Sequence, residues 1–453
     1  MRYFLLSIIV CTLVFSCQKE ADWLSVKPDK ALVVPTTLQN FKALMMNEGK
    51  MNVLDPSLGF IAGEAFYLKE SSWLTIPAGL QRNIYTWDPN PYPGLQVAEW
   101  NNCYTQVYYA NVVLDGLTRL DNLNANEQNL FNEVQGTALF FRSYAYYKLL
   151  SHFAAPYDSK TAQDIPGIIL LNTSDVNDPK TRASTWDCYT KAITDLKAAD
   201  SLLPENVPIV TLPTHMAAKA LLARLYLIMG DFPNAYKYAD LAIQKKGTLI
   251  DYNTLSAAAT YPFAKFNAED IFHCRVVTYT IMGNTLAIAD SVLFRSYAAN
   301  DLRRTLYFNT SSGAPLFKGS FEGNSPYYSG LATDEMYLIR AEAAARLGNT
   351  TSAMQDLNTL LLKRWKTGTY TPLSATTAGQ ALKLILDERA KELVFRGLRW
   401  IDLRRLNADP LTSTMLQRTI AGQQYKLSPG DPKYTFLIPD PEIQLSGIQQ
   451  NPR

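Results

Sequence analysis

The 453-residue sequence predicts a mostly α-helical protein, in which four interrupted tetratricopeptide helix pairs form a right-handed superhelical scaffold that carries loop-rich insertions with short strands. Three observations support this prediction. Apolar residues make up 47% of the chain and charged residues 19%, as in a folded globular protein with a large core. A skeleton of small residues around a glycine recurs along the chain, as stacked helix pairs require. The chain also carries 26 Tyr, 19 Phe and 7 Trp, many of them where helical periodicity is weak.

The first 16 residues have the features of a targeting segment. Arg2 supplies a positive charge, and the apolar run at 3–15 is about 13 residues long, too short to span a bilayer. The stretch VFSC ends at Cys17 and resembles the lipobox of bacterial lipoproteins, in which the cysteine is acylated. The charges in CQKEAD resemble the surface-export signal of Bacteroidetes lipoproteins. We therefore expect a signal peptide at 1–16, lipidation at Cys17 and one domain over 17–453, with an ordinary secretory signal as the alternative.

Helical hairpins follow from about residue 98. The first, at about 98–153, has apolar and aromatic residues at three- and four-residue spacing on both sides of a polar link. The second and third, at about 186–246 and 334–364, share a skeleton in which a small residue precedes a glycine by seven positions and another follows it by five. Such residues let antiparallel helices approach closely, and the glycine allows a left-handed C-cap. The residues are Ala223, Gly230 and Ala235, then Ala341, Gly348 and Ala353.

The fourth predicted pair, at about 379–407, contains the stretch ERAKELVFRGLRWIDLRRLN, in which Ala390 and Gly397 repeat the seven-residue offset. Glu388 and Glu392 in this stretch lie one helical turn apart, a separation that two catalytic carboxylates of a glycosidase could use. Neighbouring cations, however, lower carboxyl pKa values and so oppose a general acid. We therefore interpret the two glutamates as part of a structural charged cluster that ties the last repeat to the scaffold.

Two loop-rich insertions, at about 35–97 and 250–333, interrupt the scaffold, and an extended, proline-punctuated tail follows at 408–453. Binding surfaces often lie on loops that a rigid frame holds. Tryptophan and tyrosine rings can stack on the apolar faces of sugars, while polar side chains bond the hydroxyl groups. Ordinary loop packing or a protein interface would enrich the same residues. The candidate ligand-binding residues, chosen for their polar, Gly or Pro neighbours, are Trp73, Trp87, Tyr92, Tyr327 and Tyr328.

Charge and motif content argue against other functions. The 43 Lys and Arg balance 41 Asp and Glu without long runs of like charge, so we expect no nucleic-acid partner. Apart from Cys11 and Cys17, three cysteines remain without CxxC spacing, so we expect buried thiols and neither a zinc site nor a disulfide framework. The three histidines are far apart, and no GxSxG, HExxH, P-loop or GxGxxG motif occurs. We predict no enzymatic activity, no metal and no cofactor.

Several longer segments follow Cys17 in a recognisable order. They are WNNCYTQVYYANVVLDGL, EVQGTALFFRSYAYYKLLSHFAAPY, DEMYLIRAEAAARLGN, ERAKELVFRGLRWIDLRRLN and FLIPDPEIQ. Together they resemble the SusD/RagB family of Bacteroidetes outer-membrane lipoproteins. The most specific motif is similar to the family pattern E-R-x-x-E-L-x-F-E-G-x-R-x-x-D-L-x-R, with Arg396 where the family commonly has a second glutamate. We expect that departure to alter a local salt bridge and to leave the SusD-like fold intact.

The resemblance implies a lipid-anchored outer-membrane protein that faces the cell exterior, binds an oligomeric nutrient and passes it to a SusC-like TonB-dependent transporter without catalysis. A glycan is the expected ligand, and a peptide is an alternative because the family has peptide-handling, RagB-like members. A tetratricopeptide scaffold lipoprotein for envelope assembly is a further alternative, although it would need only stacked repeats and no long aromatic insertions. The family's contact residues vary widely, so the aromatic candidates rest on chemistry alone.

Overall fold

The structure is a computed structural model that describes residues 35–453. The predicted signal peptide at 1–16 and the predicted lipidation site Cys17 lie outside the described residues. The described part of the chain is mostly helical, as the sequence predicts. Its α-helices are α1 Leu38–Met45, α2 Glu48–Met51, α3 Leu58–Gly63, α4 Glu70–Thr75, α5 Leu80–Tyr85, α6 Ala98–Leu117, α7 Ala125–Phe153, α8 Thr185–Leu202, α9 His215–Met229, α10 Phe232–Lys245, α11 Ser291–Ser296, α12 Arg303–Leu306, α13 Thr333–Arg346, α14 Thr350–Leu362, α15 Ala378–Glu392, α16 Arg399–Leu406 and α17 Asp440–Ser446.

The strands are short, and all of their pairings are antiparallel. They are β1 Phe66–Tyr67, β2 Pro166–Ile169, β3 Arg182–Ser184, β4 Asp270–Phe272, β5 Ile288–Ala289, β6 Phe308–Asn309, β7 Leu316–Phe317, β8 Leu331–Ala332, β9 Leu416–Ile420 and β10 Gln423–Leu427. One sheet has the order β1-β5-β7-β6. Because β1 comes from the first insertion and the other three strands from the second, this sheet joins the two insertions.

The helices stack in sequence along the scaffold. The helix α6 packs on α7, α7 on α8, α8 on α9 and α9 on α10, after which α10 packs on α13 and α13 on both α14 and α15. Gly230 and Gly348 separate the helices of the second and third pairs with φ values of 74° and 83°, a conformation that glycine adopts without steric cost. The four alanines of the repeated skeleton are fully buried. The predicted close packing of these pairs is therefore confirmed.

The fourth pair is more open than the second and third. Residues 393–398 separate α15 from α16, and Phe395 and Gly397 in this link both have positive φ values. The helix α16 packs chiefly on α3. Gly63 permits this approach, because a Cβ atom there would lie only 2.8 Å from Cε3 of Trp400.

The long helix α7 begins at a capping box and ends against the tail of the chain. Asn124 accepts from the backbone N–H of Glu127, whose carboxylate accepts from the N–H of Asn124 in return. The last carbonyls of a helix have no partner within the helix. Here the Arg404 guanidinium, the Asn451 amide and the Phe436 N–H donate to carbonyls between 150 and 154. The tail therefore completes the C-terminal end of α7.

The tail differs from the prediction over one segment. Residues 408–453 are not extended throughout, because α17 forms at Asp440. Pro441 lies in its first turn, where the missing N–H costs little, and Asp440 and Glu442 place negative charge at the positive end of the helix dipole. Gly447 ends the helix with a φ of 70°.

The three cysteines in the described part of the chain, Cys103, Cys188 and Cys274, are buried free thiols, as predicted. Among residues 35–453, no helix combines the length and the apolar character that crossing a membrane would take.

Candidate functional site

Four segments of the chain form most of the wall of a concavity of about 970 Å³, called the cleft. Most of its lining residues come from 63–68, from 290–296 around α11, from 384–393 at α15 and its C-terminal end, and from 414–419 at the start of the β9–β10 hairpin. The others are Tyr85, Trp87, Leu373, Arg399 and Asp402. Both insertions and the stretch at 388–407 therefore contribute to one site.

Exposed apolar side chains form the outer wall of the cleft. Tyr67 is 41% exposed, whereas Phe66 beside it is buried, because successive residues of a strand point to opposite faces. Val292 on α11 and Met415 before β9 are also exposed and line the cleft. This wall presents apolar surface, including an aromatic side chain, on which a ligand could lie.

Arg418 on β9 connects the cleft to the ends of two short helices. Its guanidinium lies 3.7 Å from the ring centroid of Tyr85 and 4.6 Å from that of Trp87. It donates to the carbonyls of Ile61 and Ala62 at 3.1 and 3.0 Å and also to that of Tyr85. Burial lowers the pKa of Arg418 to about 10, and no carboxylate within the described residues forms an ion pair with it.

Glu64 lies on the inner wall of the cleft and is only 4% exposed. Its Oε1 atom accepts from the Ala65 N–H at 3.3 Å, while its buried Oε2 atom has no hydrogen-bond partner in the described part of the chain. Burial raises the pKa of Glu64 to about 7, and that rise is opposed by the backbone N–H groups of Phe395 and Ala65 and, to a smaller extent, by the nearby Arg399 guanidinium. Near neutral pH this carboxyl group is therefore present in both the protonated and the ionised form.

Arg399, the first residue of α16, lies on the same wall and is partly exposed. Within residues 35–453 its side chain has neither an ion pair nor a hydrogen bond. Arginine has five N–H donors and no acceptor, whereas a carboxyl near its pKa can accept or donate. Arg399 and Glu64 thus provide complementary hydrogen-bonding capacity in one wall, which suits ligand hydroxyl groups because a hydroxyl both donates and accepts.

Glu392, by contrast, is buried behind the cleft between two arginines. Its carboxylate accepts from Arg303 at 3.0 Å and from Arg364 at 2.6 Å. Burial alone would raise the pKa of Glu392, but Arg364 and Arg303 outweigh it and hold the pKa below the ordinary value. Arg364 also donates to Glu269 at 2.9 Å. Glu392 is therefore ionised and fully engaged.

The other charges of the stretch at 388–407 confirm its structural interpretation. Glu388 accepts from Arg303 at 2.6 Å and from Lys391 at 2.5 Å. Arg396, which stands where the family commonly has glutamate, donates to the buried Asp334 at 2.8 Å and lies 3.8 Å from the ring centroid of Phe321. Glu388 and Glu392 thus tie α15 to distant parts of the chain.

Three of the predicted aromatic candidates, Tyr92, Tyr327 and Tyr328, are buried, so the prediction that they present exposed rings is wrong. The Tyr92 hydroxyl donates to the Leu437 carbonyl, and that of Tyr327 to the Met282 carbonyl. The Tyr328 hydroxyl donates to Asp270 at 2.8 Å. Each hydroxyl finds a partner remote in sequence, which allows the ring to enter the core.

The two tryptophan candidates have different environments. Trp87 lines the cleft, so it stays a candidate contact. It is only 5% exposed, however, because its Nε1 donates to the Ala62 carbonyl at 3.0 Å and Arg418 covers its ring, so the expected full exposure is wrong here too. Trp73 is half-buried, with the Arg82 guanidinium 5.0 Å from its ring and the ring of the cleft residue Tyr85 at 5.8 Å. Trp73 therefore stays a candidate contact at the edge of the cleft.

Sequence reasoning missed four residues of the cleft: Glu64, Tyr67, Arg399 and Arg418. A signal existed only for the last, because TMLQRTIAGQQYKL places β-branched and aromatic residues on both sides of a glycine, as hairpins often do. The positive φ values of Ala421 and Gly422 match that turn. The exposure of Tyr67 and the lack of a partner for Arg399 depend on remote segments and leave no local trace.

The described residues contain no group of three or more His, Cys, Asp and Glu side chains arranged to hold a metal ion.

Two stretches of the chain match known families. Residues 22–227 match SusD-like_3, described as starch-binding associating with outer membrane, and residues 330–450 match SusD_RagB, described as the SusD family. The SusD-like protein P2 of Formosa agariphila is 23% identical over 392 residues, covering 73% of this chain and 75% of the relative.

Solved structures show the same fold. A SusD superfamily protein from Bacteroides thetaiotaomicron superposes with a TM-score of 0.74 at 21% identity, covering 92% of this chain and 100% of that one. A SusD-like carbohydrate binding protein from Bacteroides vulgatus gives a TM-score of 0.68 at 18% identity, covering 91% of this chain and 97% of that one.

Proposed function

The chain belongs to the SusD/RagB family, and on that premise we propose that it is a surface-exposed lipoprotein that binds an oligomeric glycan in the cleft and passes it, chemically unchanged, to a SusC-like TonB-dependent outer-membrane transporter. The family description as starch-binding and the name of the Bacteroides vulgatus protein support a carbohydrate ligand. A lipid on Cys17 anchors the chain in the outer membrane, with the cleft accessible from outside the cell.

The observation that carries the proposal is the combination of groups in the cleft. Tyr67 offers an exposed ring for the apolar face of a sugar, and Arg399 and Glu64 offer a donor and a group that accepts or donates. A hydrogen bond to a charged group contributes about 1.5–3 kcal/mol. Trp73, beside Tyr85, supplies a further aromatic contact for a longer ligand.

The carboxylates around the cleft support binding without hydrolysis. Glycoside hydrolysis takes two carboxyl groups that flank the scissile bond and exchange a proton or attack the sugar. Glu388 lines the cleft, but Arg303 and Lys391 bind its oxygens. The other carboxylates of the lining are also engaged: Asp290 caps α11, Asp387 pairs with Lys383, and Asp402 pairs with Arg389 and Arg405. The expected result of ligand binding is therefore release of the same molecule.

Calorimetric titration of the chain from residue 18 onward, without lipid, tests the proposal. The titrants are starch, laminarin, xylan and pectin oligosaccharides and a matched panel of peptides. We expect at least one oligosaccharide to bind and the variant Arg399→Ala to bind it about tenfold more weakly, since a charge-assisted hydrogen bond is lost. Arg119→Ala, which removes an exposed arginine outside the cleft, is the matched control and should bind as the unmodified chain does.

Three results would count against the proposal. Binding of peptides alone would replace a glycan ligand with a peptide. Equal affinities for Arg399→Ala and Arg119→Ala would place the ligand outside the cleft. Shorter sugars appearing on prolonged incubation with the purified chain would reveal catalysis.

The membrane anchor has a separate test in the producing bacterium. Cys17→Ala removes the acylation site, so we expect this variant in the soluble fraction after cell disruption, while the unmodified chain sediments with outer membranes. Bacteria that carry the Cys17→Ala variant should also grow more slowly on the bound glycan, because delivery depends on proximity to the transporter. A Cys17→Ala variant that still sediments with membranes would rule out lipid as the main attachment.

A further inference from the structure

A second concavity, here called the groove, lies along one face of α6 at the outside of the helical scaffold. Its volume is about 330 Å³, and its lining includes Trp100, Tyr104 and Tyr108 from α6 together with Ile169 at the end of β2. The groove and the cleft share no lining residue. A ligand bound in one of these two sites therefore does not contact the lining residues of the other.

The aromatic floor of the groove is rigid and accessible. Tyr104 and Tyr108 are four residues apart on one helix, so their side chains lie on the same face. The Tyr104 hydroxyl accepts from the Ile169 N–H at 3.0 Å and donates to the Ile169 carbonyl at 3.1 Å, while its ring packs 4.8 Å from that of Trp100. Tyr108 is 41% exposed. These contacts hold the Tyr104 ring in place, whereas the Tyr108 ring, one helical turn further along, is exposed.

Polar side chains of both charge signs border this floor. Asn101 and Thr105 lie on α6, and Lys180 and Glu442 approach from the loop before β3 and from α17. The Asn101 amide donates to Gln96, which leaves its Oδ1 atom as an acceptor, and Lys180 donates only to the Val176 carbonyl. Glu442 forms no ion pair within the described part of the chain. The rim thus offers donors and acceptors with no net charge.

From this arrangement we propose that the groove is a second carbohydrate-binding site, which takes one or two rings of a neutral glycan. An exposed tyrosine ring beside two further aromatic side chains, hydrogen-bonding groups of both kinds and balanced charge match an uncharged sugar. Its volume is close to the lower limit of ligand sites, which suits a short stretch of a polymer. Because α6 and its contacts hold the floor in place, little ordering accompanies binding.

Hydroxyl-radical footprinting with mass spectrometry locates binding at the groove directly. The probes are maltopentaose, cellopentaose, laminaripentaose and xylopentaose, each added to the chain from residue 18 onward. We expect at least one to reduce oxidation of Tyr108 both in the unmodified chain and in Arg399→Ala, because the groove does not use the cleft. Trp186, which is equally exposed but lies outside both sites, should be oxidised at an unchanged rate and is the internal control.

Titration of variants with the same pentasaccharide completes the test. Tyr108→Ala should weaken binding in the groove about fivefold, whereas Tyr108→Phe, which keeps the ring, should bind as the unmodified chain does. Trp186→Ala is the matched variant and should change nothing. Circular dichroism melting curves verify that each variant folds, as expected for exposed positions.

The proposal is overturned if none of the four sugars protects Tyr108, or if protection is lost in Arg399→Ala. It is likewise overturned if Tyr108→Ala and Tyr108→Phe bind equally well. If the cleft binds no glycan, the result is different: Arg399→Ala leaves every affinity unchanged, while protection of Tyr108 from oxidation persists.

Discussion

The stretch at 388–407 has an inner side, where Glu392 lies, and a cleft side, where Arg399 lies, and these two residues differ in whether their charge is paired. On the inner side, Glu392 is buried and bound by Arg303 and Arg364. On the cleft side, Arg399 has no partner within residues 35–453, and the buried Oε2 atom of Glu64 has none either.

The difference teaches that a charged motif can have two functions at once. Ion pairs that are closed on all sides hold elements together, and losing one partner leaves the other charge buried and uncompensated. A partly exposed group with open hydrogen-bonding capacity, such as Arg399, contributes little to folding and is available to a ligand, whereas the buried Glu64 destabilises the fold when it ionises. Measurements of stability and of affinity should therefore separate the two sides.

The largest expected effect is on the inner side. Glu392→Ala should lower the free energy of unfolding by about 3–5 kcal/mol, because Arg303 and Arg364 lose a shared buried partner. Urea denaturation followed by circular dichroism measures this change. The control on the same helix is Asp387→Ala, which breaks the exposed pair with Lys383 and should cost no more than about 0.5 kcal/mol. Similar losses for both variants would contradict the distinction between buried and exposed pairs.

The next largest effect concerns pH and lies at the cleft. Folding raises the pKa of Glu64 from 4.5 to about 7, so its ionisation destabilises the fold as pH rises from about 4.5 and the cost is complete above about 7. Glu64→Gln removes this titration. Relative to the unmodified chain, the variant should gain about 3 kcal/mol of stability between pH 4 and pH 8. Denaturation curves at several pH values measure that gain, and a difference independent of pH would show that Glu64 titrates normally.

A smaller effect distinguishes a tyrosine in the core from one in the cleft. Tyr327→Phe should lower stability by about 1 kcal/mol, since the Met282 carbonyl loses its buried donor. Tyr67→Phe removes an exposed hydroxyl and should change stability by less than about 0.5 kcal/mol. Thermal denaturation of both variants compares them, and a Tyr67→Phe variant as unstable as Tyr327→Phe would contradict the observed exposure.

The smallest effect on stability is expected for Arg399→Ala, at less than about 0.5 kcal/mol, because the side chain has no partner to leave unpaired. The same variant should lose affinity for the glycan. If it unfolded at a much lower urea concentration than the unmodified chain, Arg399 would belong to the inner side after all.

Much of the fold could be predicted from local patterns. The offsets around Gly230 and Gly348 specify how two adjacent helices meet, and both the turn and the packing depend on residues within a few positions. The helix at Asp440 was missed because seven residues with two prolines nearby also match an extended tail. In the fourth pair, packing of α16 on α3 depends on Gly63, more than 300 residues away.

The site was less predictable, because exposure depends on distant contacts. Tyr327 and Tyr328 lie among Gly, Ser and Pro, which suggested an exposed loop, yet partners at Met282 and Asp270 draw both into the core. Tyr108 shows the reverse, since it lies in a helix rich in apolar and aromatic residues and yet its ring is exposed. The composition shows that the chain is rich in aromatic residues, but the tertiary contacts decide which of their side chains a ligand can reach.

The contact between the tail and α7 bears on the order in which the chain can complete its fold during synthesis. The Leu150 carbonyl accepts from Arg404, which leaves the ribosome 254 residues later. A nascent chain that has not yet reached Arg404 and Asn451 lacks the donors that complete α7. The carbonyls at the end of the first helix pair therefore receive these partners only after nearly all of the chain has been translated.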